Sequence, residues 1–351
     1  MGKLAVYKYI TMMFLVIQIV LSIFTFVGLF GGDVPPSGNT ARAMLVYVLP
    51  LLIAANAFIL IYWLLKRLWI VSSIPIITIL SCIPYIGTIY QFGPSNTNAD
   101  NSAGIKIATY NVANFGRETS GFMAQDILSE MKKHKVDILC MQEYSDASGD
   151  KKNSDSYKEY FTYMATGNND MVIYSRYPIK KTKNIPFEYT NNSAMWCDVD
   201  VNGKRIRVFN VHLETTGFNR TLQQAAKLTN SGIKVESNSI INAIYNNYTL
   251  GMIIRAGQAN TVALEKRDSD IPTILCGDFN DVPYSYVYNT MLGDMTDGFK
   301  ECGSGWMRTY RGKKSVRIDY IFHDKSMTGL TYYNTQLTYS DHYPVFMKIE
   351  I

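Results

Sequence analysis

Two kinds of hydrophobic pattern divide this chain. Up to position 91 the apolar residues run on with few breaks: Tyr9 to Phe30 is 22 residues without a charge, and Ala43 to Leu65 is 23. Leu68 to Gln91 continues in the same vein, diluted by Ser72, Ser73, Pro75, Ser81 and Pro84. A bilayer's hydrocarbon core takes about 20 apolar residues in helix, so the pattern predicts three membrane spans, at 9–30, 43–65 and 68–91. The first run is too long for the apolar core of a cleaved signal peptide, and no A-x-A site follows it, so it is expected to be retained. Residues 92–103 (FGPSNTNADNSA) are polar and turn-rich and read as a linker.

From Gly104 to Ile351 the period changes. Short apolar, β-rich runs predict strands at Ile105 to Tyr110, Val136 to Met141, Met171 to Tyr174, Arg205 to Leu213, Thr273 to Cys276, Arg317 to Phe322 and Val345 to Ile349. Phe122 to Lys133 carries Phe122, Ile127, Leu128 and Met131 at helical spacing. Thr221 to Glu265 reads as mainly helical, broken at Gly232 and Gly251. Many short strands with helices between them predict two sheets packed together with helices outside.

Charge separates the two regions as well. Residues 1–95 hold five basic residues (Lys3, Lys8, Arg42, Lys66, Arg67) and one acid, Asp33; the remainder holds 29 basic and 28 acidic residues. The overall charge of +5 therefore comes mostly from the apolar third, and composition gives no argument for a nucleic-acid partner. Lys3 and Lys8 flank the first span and Lys66-Arg67 join the second to the third, so the positive-inside rule puts both in the cytoplasm. Three crossings then deliver everything after Gln91 to the other side; an integral membrane protein with an extracytoplasmic C-terminal part is expected, the plasma membrane being its expected location. The five cysteines form no CxxC pair, which argues against a disulfide scaffold or a zinc site and predicts buried free thiols. Trp196, Trp306 and Tyr284 are expected in the core rather than in a pocket wall.

Polar residues repeatedly close the predicted strands: Asn111 after KIATY, Glu143 after DILCMQ, and His212 in RVFNVHLE. Asp278 and Asn280 follow PTILCG, Asp319 lies in VRIDYIF, and Asp341-His342 precede YPVF. Strand ends are where a scaffold presents rigid side chains to one site. Taken in order, TYNVANFG, LCMQE, NVHLE, GDFND, RIDYIF and SDHYP resemble the endonuclease/exonuclease/phosphatase superfamily over Ile105 to Ile351. That resemblance implies a four-layered α/β sandwich of the DNase I-like type, preceded here by about three transmembrane helices that lie outside it. The departure is the long segment from Thr215 to Asp270.

The resemblance also implies metal-dependent hydrolysis of phosphoric esters, with Mg²⁺ as the expected cofactor and Mn²⁺ as an alternative. Mg²⁺ takes hard oxygen ligands and keeps several waters, so a few carboxylates suffice. Glu143 matches the family's principal metal ligand; Asn111 can add its amide oxygen, and Asp341 can hold the same ion or a second one. Asp278 would orient or deprotonate the water, Asn280 and His212 would donate to phosphoryl oxygens, and Asp319 would steer His342. Which residue takes the water's proton is left open. Of the other histidines, His134 reads as a solvated helix end and His323 as structural or surface. A basic group of Arg308, Arg311, Lys313, Lys314 and Arg317 is either a solvated loop or a phosphate-attracting rim, with Tyr310 placed to stack on a base. The expected partners are a phosphodiester substrate, phospholipid or nucleic acid, and the lipid bilayer; no obligate protein partner is called for. The alternatives are a tethered nuclease acting on DNA or RNA and a non-catalytic binding module, the latter disfavoured because binding alone does not require every acid, amide and histidine.

Overall fold

The computed structural model describes residues 3–93, 103–113, 124–144, 151–168, 171–188, 190–215, 227, 237–312 and 315–351. The chain forms two compact units: Met1–Thr88 together with Val282–Asn289, and Ile89–Asp281 together with Thr290–Ile351.

The first unit contains helices Lys3–Leu29, Thr40–Leu65 and Trp69–Ser81, the last followed by the short Ile83–Ile86. Leu4–Asp33, Thr40–Leu65 and Trp69–Ile86 are long and apolar enough to cross a membrane. Their polarity is inside out. Ile23, Phe58, Leu65 and Ile70 are exposed, while Gln18, Thr25, Asn56 and Thr78 are buried. Gln18 Nε2 donates to Asn56 Oδ1 at 2.7 Å, Asn56 Nδ2 to Thr25 Oγ1 at 3.0 Å, and Thr78 Oγ1 to Ser22 Oγ at 3.0 Å. In hydrocarbon, where apolar contact drives no association, such interhelical hydrogen bonds join helices. Val282–Asn289 belongs to this unit: the Tyr284 ring meets Tyr85 edge-on at 5.5 Å, and a Cβ on Gly32 would lie 2.2 Å from the Tyr284 carbonyl oxygen. The third helical stretch ends at Ile86, short of the expected Gln91, because Tyr90–Gln91 forms a strand, β1.

The second unit carries two six-stranded sheets. In chain order the strands are β2 Ile105–Asn111, β3 Ile138–Gln142, β4 Tyr163–Thr166, β5 Val172–Ser175, β6 Ile179–Pro186, β7 Ser193–Val201, β8 Lys204–His212, β9 Thr273–Asp278, β10 Thr296–Asp297, β11 Gly305–Trp306, β12 Asp319–His323, β13 Thr328–Asn334 and β14 Val345–Glu350. One sheet has the order β10-β12-β9-β8-β7-β6, the other β13-β14-β2-β3-β5-β4, and β1 pairs with β11 in a two-stranded sheet among the described residues. Alternation along the strands sorts side chains between two cores. Ile105, Ile107, Ile138 and Cys140 join Cys197, Val208 and Cys276 between the sheets, whereas Ala108, Tyr110, Leu139 and Met141 face helices Ala124–Lys133 and Lys151–Tyr160. The helix Ser237–Arg267 runs unbroken through Gly251, contrary to the expected break there; Gly232 lies outside the described residues. Met252, Arg255, Ala256, Ala259 and Val262 are buried along this helix, and such packing outweighs the roughly 1 kcal/mol that a helical glycine costs. Helix, sheet, sheet, helix is the expected four-layered α/β arrangement.

The cysteines are free, with Cys82, Cys140, Cys197 and Cys276 buried, as read from the sequence. Two histidines are settled by packing. His134 is not a solvated end: its ring lies 4.6 Å from Phe346 and its Nδ1 is 3.0 Å from the Tyr333 hydroxyl. His323 is buried and structural, its Nε2 2.8 Å from Glu301 Oε2.

A polar clamp ties the sheets together at the level where the site begins. Asn210 is fully buried; its Nδ2 donates to the carbonyls of Met141 (2.8 Å) and Val172 (3.0 Å), and its Oδ1 accepts from Gln142 Nε2 (2.6 Å). Each buried partner left without a hydrogen bond costs about 1–3 kcal/mol. Asn210→Ala should therefore destabilise the full chain by at least about 2 kcal/mol, read as a shift of the urea unfolding midpoint at constant slope; a shift worth under about 0.5 kcal/mol would show that the clamp contributes little.

Candidate active site

Strand register collects the acids and histidines at one edge. β8 and β9 run parallel with His212 opposite Asp278, and β9 and β12 run antiparallel with Asp278 opposite Asp319. In the other sheet β2 and β3 are parallel, so Asn111 ends one strand as Gln142 ends the next, and Glu143 follows directly. Parallel neighbours finish on the same side, which is where open α/β sheets put their ligands. Glu143 (φ 49°) and Asn280 (φ 51°) both adopt the left-handed backbone region. Non-glycine residues held there cluster at functional sites. Gly277 (φ +139°) allows β9 to approach β8, since a Cβ there would sit 2.0 Å from the Val211 carbonyl oxygen.

The side chains form one connected group. His342 Nδ1 lies 3.0 Å from Asp319 Oδ2 and 3.1 Å from Oδ1, and its Nε2 is 3.6 Å from Asp278 Oδ2. His212 Nε2 is 3.9 Å from that same Asp278 oxygen and 3.7 Å from Glu143 Oε1. Buried, it has no hydrogen-bond partner among the described residues. Asn111 Nδ2 is shared between Glu143 Oε1 (3.0 Å) and Asp278 Oδ2 (3.1 Å), while its Oδ1 accepts from the Ala113 N–H at 3.1 Å. Asn280 donates its backbone N–H to Asp278 Oδ1 (2.8 Å) and its amide to the Leu213 carbonyl (2.9 Å). Asp341 is held differently: its carboxylate lies 3.4 Å from Ser340 Oγ, and its carbonyl accepts from the Arg311 N–H at 2.7 Å.

Burial and charge set the protonation states. Burial works against a charge on His342, yet Asp319 and Asp278 outweigh it and raise the imidazole to about 10. Burial pushes the Asp278 carboxyl up to about 6; His342 draws it back, the Asp319 charge adds to the rise, and His212 opposes it. His212 moves the other way: burial lowers it, so its ring is neutral near pH 7. One group thus combines a charged imidazole, a neutral one and a carboxyl poised near neutrality.

Asp278, Asp319 and His342 have ligand atoms close enough together to hold a metal ion. A metal at His342 would have to displace the proton that Asp319 and Asp278 favour on its ring, and Asp319 pairs with that ring at 3.0 Å. The region of Glu143, Asn111 and Asp278 fits an ion better. Two carboxylates there share one amide, and the available donors are hard oxygens of the type Mg²⁺ prefers. Coordination by the Asn111 amide oxygen would require that amide to turn from the Ala113 N–H.

One residue drops out of the expected basic rim. Arg317 does not belong to it: buried, it forms a two-pronged pair with Asp297 at 2.8 and 2.6 Å. Lys313 and Lys314 lie outside the described residues. Arg308 is exposed. Tyr310 and Arg311 do border the group, the Tyr310 ring meeting His342 edge-on at 5.0 Å and Arg311 Nη1 donating to the Ser340 carbonyl at 3.0 Å.

Sequence reading missed the residues that position this group. Thr309 Oγ1 accepts from the backbone N–H groups of Ile318 and Asp319, both at 3.0 Å. Arg255, fully buried, reaches Asp281 Oδ2 at 3.3 Å and the Glu214 carbonyl at 3.0 Å, joining the loops after β9 and β8. Gln258, one helical turn on, accepts from the Glu214 N–H at 2.8 Å. The only signal was their i, i+3 spacing on a predicted helix, which equally suits a solvated face.

A family model described as Endonuclease/Exonuclease/phosphatase family matches residues 108–342, and the chain belongs to that family. Its members hydrolyse phosphoester bonds with divalent metals. A second model, described as a domain of unknown function, matches residues 11–89. No curated protein matches the chain. Among solved structures, humanized D. rerio TDP2 is similar at 16% identity and a TM-score of 0.52, covering 71% of this chain and 100% of that one. A mannosyl-6-phosphatase from Bacteroides thetaiotaomicron is similar at 17% and 0.50 over 71% and 100%. The human Nocturnin catalytic domain, solved with a bound sulfate anion, is similar at 15% and 0.52 over 70% and 93%. At these identities the likeness is one of fold.

If His342 and Asp319 act as one unit, alanine at either should slow hydrolysis of bis(p-nitrophenyl) phosphate by orders of magnitude, and the double variant should be little slower than the slower single one. Losses that multiply would show two independent groups.

Proposed function

We propose that this chain is a membrane-anchored, Mg²⁺-dependent phosphodiesterase acting on the headgroup phosphodiester of a lipid. The observation that carries the reading is the connected group of Asp319, His342, Asp278, His212, Glu143 and Asn111, in which charged and neutral donors converge with carboxylates. Glu143, with Asn111 and Asp341 as further ligands, would hold the ion, which neutralises phosphoryl charge and aligns the ester. Asp278 faces both imidazoles and is placed to orient the attacking water and accept its proton. The Asp319 carboxylate would hold the Nδ1–H of His342, leaving Nε2–H, on the Asp278 side, to donate to a phosphoryl oxygen. His212 Nε2 would add a hydrogen bond as charge builds, and Asn280 holds Asp278 and Leu213 in register, its amide having to turn from the Leu213 carbonyl to reach a phosphoryl oxygen. Tyr310 and Arg311 form the rim that meets the substrate, with Arg308 further out.

Two observations favour lipid over nucleic acid. Three helices suited to a membrane belong to the same chain, and the basic footprint that a phosphate-tracking nuclease presents is diminished by the burial of Arg317 against Asp297. Turnover of phospholipid or sphingomyelin in vesicles by the full chain, with DNA and RNA left intact, is the expected outcome; degradation of nucleic acid with every lipid untouched would establish the tethered nuclease instead.

Glu143→Gln replaces a charged ligand with a neutral one of equal size. It should abolish hydrolysis at ordinary Mg²⁺ while leaving the unfolding midpoint in place, and EDTA should silence the parent chain until Mg²⁺ or Mn²⁺ is restored. Full activity in chelator would sink the metal assignment.

The positive-inside distribution of Lys3, Lys8, Lys66 and Arg67 supports an extracytoplasmic catalytic unit in the plasma membrane. A reporter active only outside the cytoplasm should work when fused after Ile351. Activity of a cytoplasm-only reporter at the same point would reverse the topology.

A further inference from the structure

Trp306 was expected in the core; 71% of its surface is exposed. It belongs to β11, which pairs with β1 among the described residues, with Tyr90 opposite Trp306 and Gln91 opposite Gly305. The Tyr90 ring packs edge-on against Trp306 at 5.1 Å and against Phe92 at 4.7 Å, and Phe92 is itself 84% exposed. Three aromatic rings thus form one outward-facing cluster. Its mount is firm: the Met307 N–H donates to the Ile89 carbonyl at 2.9 Å, Ser304 Oγ donates to the Gly93 carbonyl at 2.7 Å, and the Met307 side chain is buried in the core between the sheets. Large exposed aromatics on a fixed mount call for a partner.

The chain itself indicates which partner. The last membrane-compatible helix ends at Ile86, and β1 begins at Tyr90. Four residue steps reach at most about 14 Å, less than half the roughly 30 Å thickness of a hydrocarbon core. Tryptophan and tyrosine concentrate at the headgroup level of bilayers, where an apolar ring with a polar edge satisfies both environments. A further aromatic following a span at so short a distance falls in that layer. Gly305 and Ser304 beside it carry no charge to be dehydrated.

We infer that Tyr90, Phe92 and Trp306 form a bilayer-interface anchor, separate from the spans, that seats the catalytic unit on the phospholipid headgroups. This rests on the membrane reading given above. The anchor would fix which side of the catalytic unit faces the lipid. It touches none of the catalytic group, so its effect is on access to lipid-borne ester rather than on the chemical step.

The test uses the full chain in phosphatidylcholine vesicles. Trp306→Phe keeps an apolar ring and removes the indole, so the difference between parent and variant emission reports Trp306 alone. That difference signal should be quenched by lipids brominated near the headgroup end of the acyl chain and shielded from aqueous iodide. Trp306→Ser with Phe92→Ser should lower turnover of vesicle-borne substrate about ten-fold, equivalent to about 1.4 kcal/mol, and leave bis(p-nitrophenyl) phosphate hydrolysis unchanged. Trp306→Phe should keep most vesicle turnover, which separates loss of the anchor from loss of the fold. Iodide quenching without bromolipid quenching, in protein that alkaline carbonate does not extract, would overturn the anchor while leaving the spans intact. Shielding that appears only as protein concentration rises would assign the cluster to a second copy of the chain and overturn it equally. Extraction by carbonate would remove the membrane reading itself, and the anchor with it.

Discussion

Asp278 and Asp319 are direct neighbours on adjacent antiparallel strands, both buried, and like charges so placed repel. His342 is what makes the pair tolerable, with one ring nitrogen on Asp319 and the other turned to Asp278. Much of the site can be understood as support for that imidazole. Ser340 Oγ accepts the His342 N–H and donates to the Asn111 carbonyl, which ties the loop before β14 to the end of β2. Thr309 orients the start of β12 through two backbone N–H groups, and Tyr310 closes over the ring. Removing one partner from such a network exposes the rest to an uncompensated buried charge, which is why its parts are coupled rather than additive.

The same chain solves the burial problem in two opposite ways. In the catalytic unit, apolar strand faces meet between the sheets, and buried polar groups such as Asn210 and Arg317 are fixed to named partners. In the helical unit the polar residues are the interior, with Gln18, Ser22, Asn56 and Thr78 bonded across helices and leucine, isoleucine and phenylalanine turned outward. That inversion is the physical content of the apolar runs seen first in the sequence.

The candidate site residues were legible because they lie at or next to the ends of buried strands, where a polar side chain interrupts an apolar run. Elements without that contrast were not. β6 is an edge strand with the sequence IKKTKNIP; its lysines face outward and deter edge-to-edge pairing, so it lacks the alternation that would identify it. β7 is almost wholly buried yet contains Asp198, whose charge makes sense only through Arg207 directly across the strand pair, at 2.7 Å. Arg317 misled for the same reason: Asp297 lies twenty residues away in sequence, and only the fold brings them together. Arg255 and Gln258 show the limit most clearly, since a buried arginine and a surface arginine are identical until the loops they hold are in place.

The short stretch Val282–Asn289 follows immediately after the loop of Asp278, Asn280 and Asp281, yet it packs as part of the helical unit, with Tyr284 against Tyr85 and beside Gly32. The chain therefore passes between the units three times, at Thr88–Ile89, Asp281–Val282 and Asn289–Thr290. None of these passages is the stretch 92–103, so a cut there would leave Val282–Asn289 continuous with the second unit. The two units are thereby interleaved in sequence, and neither corresponds to one uninterrupted length of chain.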